Sequence, residues 1–155
     1  MTSVTAKRFT CVVVIVWALD FASPLRAQIG LGTWVQQSNA SPGLTMTVEA
    51  CCNGGRRFVY RINGQTDVLM TIESPMDGRE VPVLAAGGKP TGETMAIQRV
   101  DDRHTFTVVK MDGKPFGTSK ATLSADGKTL TVENEITFTG GGQTAGKQTE
   151  TWVRK

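Results

Sequence analysis

The chain has 155 residues, with 17 lysines and arginines, 14 aspartates and glutamates, and a formal net charge of +3. This length is enough for one domain with a substantial core. The basic residues form no cluster or stripe that would neutralise phosphates, so the composition argues against a nucleic-acid-binding protein.

Residues 1–27 have the pattern of a secretory signal peptide. Two basic residues, Lys7 and Arg8, precede an apolar run that ends at Leu19. A basic region followed by an apolar region of about 7–15 residues is typical of such peptides. The run is shorter than the roughly 20 apolar residues that a membrane-spanning helix needs. We therefore expect a removed export signal and no stable membrane insertion.

The mature protein is then a single domain over residues 28–155, with cleavage expected after Ala27. Most of the net positive charge leaves with the peptide, because Lys7, Arg8 and Arg26 lie within it. We expect the nearly neutral mature domain to be exported to the periplasm or the extracellular space.

From residue 31 onward the sequence alternates between short strands and tight turns. Leu44, Met46 and Val48 alternate with polar residues, which is the period of a half-buried strand. Dipeptides such as Asn63-Gly64 and Asp77-Gly78 separate the runs and are typical of hairpin turns. Regular short strands without a helical period favour a sandwich or barrel, and here a closed antiparallel barrel. The predicted strands cover residues 31–37, 44–49, 57–62, 68–73, 79–84, 93–100, 104–110, 116–124, 128–139 and 145–154.

Two adjacent cysteines, Cys51 and Cys52, remain after cleavage. Neighbouring residues on a strand point to opposite faces, so joining them would require a strained ring. Three states remain open: two reduced thiols, a vicinal disulfide, or a bridge between two chains. A Cys-x-x-Cys redox motif is absent from the sequence.

Catalytic and metal-binding patterns are weak. His104 is the single histidine, and one histidine cannot supply the usual zinc ligand set, so we interpret it as a solvated turn residue. Residues 141–147 resemble a phosphate-binding loop, but Gln148 replaces the required hydroxyl residue. Glu133 and Glu135 share one strand face, which we interpret as solvated. We expect no enzymatic activity, no cofactor and no metal.

Short motifs resemble those of the lipocalin and fatty-acid-binding protein (calycin) superfamily. Residues 32–34 read Gly-Thr-Trp, and Asp-Gly-Lys turns occur at 112–114 and 126–128. The sequence is most similar to the small exported bacterial lipocalin-like proteins that begin with Gly-Thr-Trp. This resemblance implies a single up-and-down antiparallel β-barrel of about 8–10 strands, able to hold one apolar ligand. It also implies that Arg154 of the last strand packs on Trp34.

Strand alternation predicts an apolar inner face, which either packs into a filled core or surrounds a cavity. We expect a cavity that binds a small apolar or amphipathic ligand without transforming it. Phe58, Tyr60, Met70 and Phe106 are the candidate ligand-binding residues. The full predicted inner face is Trp34, Met46, Val48, Phe58, Tyr60, Ile62, Met70, Ile72, Met95, Ile97, Phe106, Val108, Leu130, Val132, Ile136 and Trp152.

An alternative function needs no ligand. A filled barrel could act as an interaction module that contacts a protein or an envelope component. Its contact surface would be formed by the glycine-rich loops at residues 87–92 and 140–142.

Overall fold

The computed structural model describes residues 30–37, 43–137 and 145–155. The predicted signal peptide and the glycine-rich tip at 140–142 lie outside these ranges. Within them, no helix is long and apolar enough to cross a membrane.

Ten antiparallel strands close into one up-and-down barrel. Each strand pairs with its neighbours in chain order, and the first pairs with the last. The all-β barrel predicted from the sequence is therefore confirmed. The strands are β1 (Gly32–Gln37), β2 (Leu44–Cys51), β3 (Gly55–Ile62), β4 (Val68–Ser74), β5 (Asp77–Ala85), β6 (Pro90–Arg99), β7 (His104–Met111), β8 (Lys114–Leu123), β9 (Thr129–Ile136) and β10 (Gly146–Arg154).

The two ends of the barrel can be named from the order of the strands. Because successive strands are antiparallel, β1 begins at the same end at which β10 finishes, and we call this the terminal end. The connections β2–β3, β4–β5, β6–β7 and β8–β9 also lie at the terminal end. The remaining connections lie at the opposite end, which we call the loop end.

Trp34 is fully buried near the terminal end. Its Nε1 donates a hydrogen bond of 2.7 Å to the carbonyl oxygen of Gly30. The guanidinium carbon of Arg154 lies 4.8 Å from the centre of the Trp34 ring, a cation–π distance. The structure thus contains the tryptophan–arginine packing that the sequence resemblance implied.

The buried apolar side chains form two clusters. One surrounds Trp34 and Trp152, and the other joins β4, β5 and β6. Phe58 and Tyr60 contact both clusters, so β3 connects them. The first cluster contains Trp34, Met46, Val48, Leu123, Leu130 and Trp152, and the second contains Ile72, Val83 and Ile97.

The hairpin turn predicted at Asp77-Gly78 was wrong in position. The chain reverses earlier, around Met76, whose φ is +64°, and Asp77 is already the first residue of β5. Between Asp77 and Glu80 the register against β6 shifts. Gly78, with φ +84°, therefore lies in a β-bulge and not in the hairpin turn itself.

Cys51 and Cys52 form a vicinal disulfide, one of the three states that the sequence left open. Cys51 is the last residue of β2, and Cys52 begins a single 3-10 turn that leads into β3. Cys52 and Asn53 both have positive φ, at 51° and 52°. Because the chain leaves the strand at Cys52, the rule that neighbours point to opposite faces does not apply to this pair.

Candidate ligand-binding cavity

The interior of the barrel contains a cavity of about 260 Å³. This is slightly below the range of about 300–1,000 Å³ that is typical of ligand pockets. The interaction-module alternative assumed an interior filled by side chains, and the cavity shows that the interior is not filled. The apolar wall residues are Leu44, Met46, Val48, Phe58, Met70, Ile72, Met76, Met95, Ile97, Val109, Ala121, Leu130, Val132 and Trp152.

Three of the four candidate ligand-binding residues line this cavity. Phe58 and Tyr60 reach it from β3, and Met70 reaches it from β4. They come together because Tyr60 and Met70 are directly paired across the two strands. That these side chains contact a ligand stays a prediction.

Phe106 does not line the cavity, so the inward face predicted for β7 was wrong. Thr105, Thr107 and Val109 of β7 form the wall instead, which places Phe106 on the outer face. There its cross-strand neighbours are Gln98 and Lys120. The prediction assumed that the more apolar face turns inward. That assumption fails here because the wall that β7 contributes to is partly polar.

A polar band crosses three neighbouring strands on this side of the cavity. Thr107 of β7 is the cross-strand neighbour of Ser119 of β8, which is in turn the cross-strand neighbour of Asn134 of β9. All three line the cavity. The opposite wall, from β2, β3 and β4, consists almost entirely of apolar side chains, and β6, which is next to β7, contributes Met95 and Ile97. The cavity is therefore amphipathic, with one apolar wall and one hydrogen-bonding wall.

Glu150 of β10 continues the polar band. One of its carboxylate oxygens accepts a hydrogen bond of 3.1 Å from Asn134 Nδ2. The other accepts a hydrogen bond of 3.2 Å from the indole Nε1 of Trp152. Among the described residues that line the cavity, Glu150 is the only charged one.

Tyr60 and Trp152 place an aromatic corner beside this carboxylate. Their ring centres are 6.1 Å apart and their planes are inclined at 74°, an edge-to-face arrangement. Burial raises the pKa of Tyr60 well above its usual value, and the negative charges of Glu150 and Glu93 raise it further. Tyr60 therefore stays a neutral phenol at physiological pH.

Glu93 provides a second inward-directed carboxyl group near the loop end. It lies on the same face of β6 as Met95 and Ile97, which line the cavity. It is half-buried, and burial raises the pKa of its carboxyl group. The inner side of the barrel is thus acidic in this region.

Arg56 is buried at the terminal end, outside the cavity wall. Its Nη1 donates hydrogen bonds to the carbonyl oxygens of Gly54 and Gly55, at 3.2 and 2.8 Å. Its Nε has no partner among the described residues. Burial and the nearby charge of Arg99 both lower the pKa of this guanidinium.

Sequence reasoning missed Glu150 and Asn134, although strand alternation contained the signal. Trp152 was predicted to face inward, and Glu150 lies two residues before it on the same strand face. Asn134 lies two residues after Val132, which was also predicted to face inward. Both were overlooked because the predicted inner face was selected for apolar side chains.

The residues considered for catalysis lie away from the cavity. His104 Nδ1 is 2.7 Å from a carboxylate oxygen of Asp101 in the β6–β7 turn, and the His104 side chain is 40% exposed. Glu133 and Glu135 are exposed on the outer face of β9. In the ranges that the structure covers, no group of three His, Cys, Asp or Glu residues could hold a metal ion.

Comparison with known proteins gives a likeness in structure alone. Neither a protein-family model nor a curated protein matches the sequence. The solved structures that resemble the fold include the wild-type fluorescent protein UnaG, with a TM-score of 0.56, 14% identity, and coverage of 81% of this chain and 97% of that chain. An asparagine-to-alanine variant of UnaG has a TM-score of 0.57, 14% identity, and coverage of 81% and 96%. At this identity the likeness concerns the fold alone.

Proposed function

We propose that this protein is an exported lipocalin-like barrel, similar to the small bacterial ones, that binds one small apolar or amphipathic molecule and releases it unchanged. The observation that carries this proposal is the cavity of about 260 Å³ inside the closed barrel. A protein of this size ordinarily fills its interior, and voids larger than a water molecule are few. A wide, mostly apolar void therefore supports ligand binding.

The wall chemistry favours a ligand that is largely apolar. Phe58, Tyr60 and Met70 offer aromatic and thioether surface on one side. Methionine side chains are flexible and polarizable, so Met46, Met70 and Met95 form a wall that adapts to the shape of a ligand. The polar band on the opposite wall would fix the orientation of an amphipathic molecule.

We propose binding without catalysis because the side chains weighed as catalytic candidates lie outside the cavity, and the one carboxylate in its wall, that of Glu150, is held by two hydrogen bonds. A general base has to reach the proton that it abstracts. His104 and Glu133, which were the candidates for that role, lie at a turn and on the outer face of the barrel.

Export is part of the proposal and rests on the signal-peptide pattern of residues 1–27. The vicinal disulfide is consistent with an oxidising compartment, where such bonds persist. We expect the exported protein to begin at Gln28 and to weigh two hydrogens less than the reduced chain. Intact-mass spectrometry of the exported fraction tests both points. A mass that still includes residues 1–27 would contradict the removal of this signal.

Binding can be tested by titration with phenylnaphthylamine, a neutral dye whose fluorescence rises in apolar surroundings. We expect the wild-type protein to bind the dye with a saturable fluorescence increase. Met70→Trp places a larger ring in the cavity and should abolish most of this increase.

Leu69→Trp is the matched control, because Leu69 is adjacent in sequence but 42% exposed on the outer face of β4. It adds the same side chain without occupying the cavity, so dye binding should persist. Equal loss of binding in both variants, or no binding by the wild type, would contradict the proposed function.

A further inference from the structure

We infer that the cavity selects a ligand that carries an ammonium group on an apolar body. This inference rests on the proposed function and specifies the chemical class of the ligand. It follows from the position of Glu150 in the cavity wall, beside the rings of Tyr60 and Trp152.

The first step concerns charge. Glu150 is the only charged residue among the described wall residues, so the wall bears a negative charge and no positive one. A ligand carboxylate entering this space would lose its hydration and face a like charge. A ligand ammonium group would face an opposite charge in surroundings less polar than water, where the attraction is stronger.

The second step concerns hydrogen bonds. A carboxylate can accept roughly four hydrogen bonds. Asn134 Nδ2 and Trp152 Nε1 each donate one to Glu150. These two donors hold the carboxylate in place and leave acceptor positions for the N–H groups of a ligand.

The third step concerns the aromatic rings. The faces of aromatic rings attract cations, and sites lined by several aromatic rings are a recurrent way of binding ammonium ligands. Tyr60 and Trp152 meet edge to face at the cavity wall, and Phe58 lines the same cavity from β3. The apolar side chains that make up most of the remaining wall, among them Met70, Ile72 and Met95, then accommodate the hydrocarbon part of the ligand.

The buried arginine Arg56 is not placed to bind a ligand carboxylate in the cavity. Arg56 is buried, but it is outside the wall and its Nη1 donates to the carbonyl oxygens of Gly54 and Gly55. Its guanidinium is thus directed to the backbone of the adjacent β2–β3 turn. Arg99, two residues beyond Ile97 on β6, donates hydrogen bonds to the carbonyl oxygen of Asp101 and the carboxylate of Asp102. Arg154 lies over the ring of Trp34.

The test compares three probes with the same alkyl chain: octylammonium, octanol and octanoate. Each probe is titrated into the wild-type protein loaded with phenylnaphthylamine, and the concentrations that displace half of the dye are compared. We expect octylammonium to bind at least about tenfold more tightly than octanoate, with octanol between them. Equal or tighter binding of octanoate would overturn the inference.

Glu150→Gln removes the charge while keeping the size of the side chain. It should weaken octylammonium about tenfold, change octanol by less than about threefold, and strengthen octanoate. Glu133→Gln is the matched control, because it removes the same charge from the outer face of the neighbouring strand β9 and should change none of the three.

The outcomes separate the inference from the proposed function. If Glu150 only orients Trp152 and Asn134, Glu150→Gln weakens all three probes equally, and the inference is wrong while cavity binding stands. If the wild type binds neither the dye nor octanol, both are wrong. If Glu150→Gln fails to fold by circular dichroism, the order of the three probes on the wild type still decides.

Discussion

Two glycines allow strands to approach more closely than any other residue would permit. A Cβ atom built on Gly55 would lie 2.2 Å from the carbonyl oxygen of Ser74, and one built on Gly117 would lie 2.6 Å from that of Glu135. Both contacts are with backbone atoms of a neighbouring strand, which cannot rotate away. The absence of a side chain at these positions is therefore part of how the barrel closes.

We expect Gly55→Ala and Gly117→Ala each to lower the free energy of unfolding by about 1–3 kcal/mol, because the added methyl group overpacks the sheet. Urea denaturation followed by circular dichroism measures the change. Gly43→Ala is the control, since its Cβ atom would lie at an ordinary 3.6 Å from the carbonyl oxygen of Gln36. If all three variants unfold at the same urea concentration, the backbones at Gly55 and Gly117 are not as close to their neighbouring strands as the structure gives them.

At the scale of single elements, one kind of side-chain contact recurs at the terminal end. Asp77, Asp101 and Asp126 each accept a hydrogen bond from the backbone N–H two residues further along the chain. An aspartate that bonds to the following backbone in this way stabilises a turn. The β6–β7 and β8–β9 turns, and the bulge that follows the β4–β5 turn, are thus held by the same local chemistry at one end of the barrel.

These contacts make stability depend on pH. The backbone hydrogen bond from Arg79 lowers the pKa of Asp77, that from Arg103 lowers the pKa of Asp101, and the hydroxyl of Ser124 lowers the pKa of Asp126. A carboxyl group with a depressed folded-state pKa stabilises the fold above its unfolded value, near about 3.9. That contribution is lost as the pH falls through the folded-state pKa.

We therefore expect the urea concentration at the unfolding midpoint to decrease as the pH is lowered from about 4 to about 2. This decrease should be larger than any change in the midpoint between about pH 7 and pH 5. Asp101→Asn and Asp126→Asn keep an acceptor oxygen but cannot titrate. Each should reduce the acid-dependent part of the loss, and their effects should add because the two turns are separate. An unchanged pH profile in the double variant would show that these carboxylates do not account for acid sensitivity.

The elements that could be predicted are those whose local pattern decides their structure. The alternation of Leu44, Met46 and Val48 identified β2 and its inner face, because β2 packs against a consistently apolar wall. On β7 the same reasoning failed, since Thr105 and Thr107 line the cavity and Thr107 is itself part of its polar band. Asp77-Gly78 misled for another reason: a positive-φ glycine serves a bulge as well as it serves a turn.

At the scale of the whole molecule, closure and the cavity have different origins. Regular strands of similar length favour a barrel, and the pairing of β1 with β10 completes it. Whether the interior is filled depends on the summed volume of inward side chains from all strands, which no single strand reveals. The size of the cavity and the meeting of Glu150 with Tyr60 and Trp152 are therefore properties of the assembled barrel.

A cavity kept for binding lowers stability, because its wall lacks packing contacts. Ala121 is a small wall residue beside the cluster around Trp34 and Trp152. Ala121→Leu adds three carbon atoms toward the void, and each buried methylene contributes about 0.8 kcal/mol. We expect the free energy of unfolding to rise by about 1–2 kcal/mol while affinity for phenylnaphthylamine falls.

The opposite signs of these two changes are what identify a functional void. Ala96→Leu is the control, because Ala96 lies between two wall residues of β6 and so faces outward. It should leave dye affinity unchanged and alter stability by no more than about 0.5 kcal/mol. A substitution at Ala121 that simply strains the barrel would lower stability and affinity together. Urea denaturation and dye titration of the same samples distinguish the two cases, and a fall in both would mean that the space beside Ala121 is already filled.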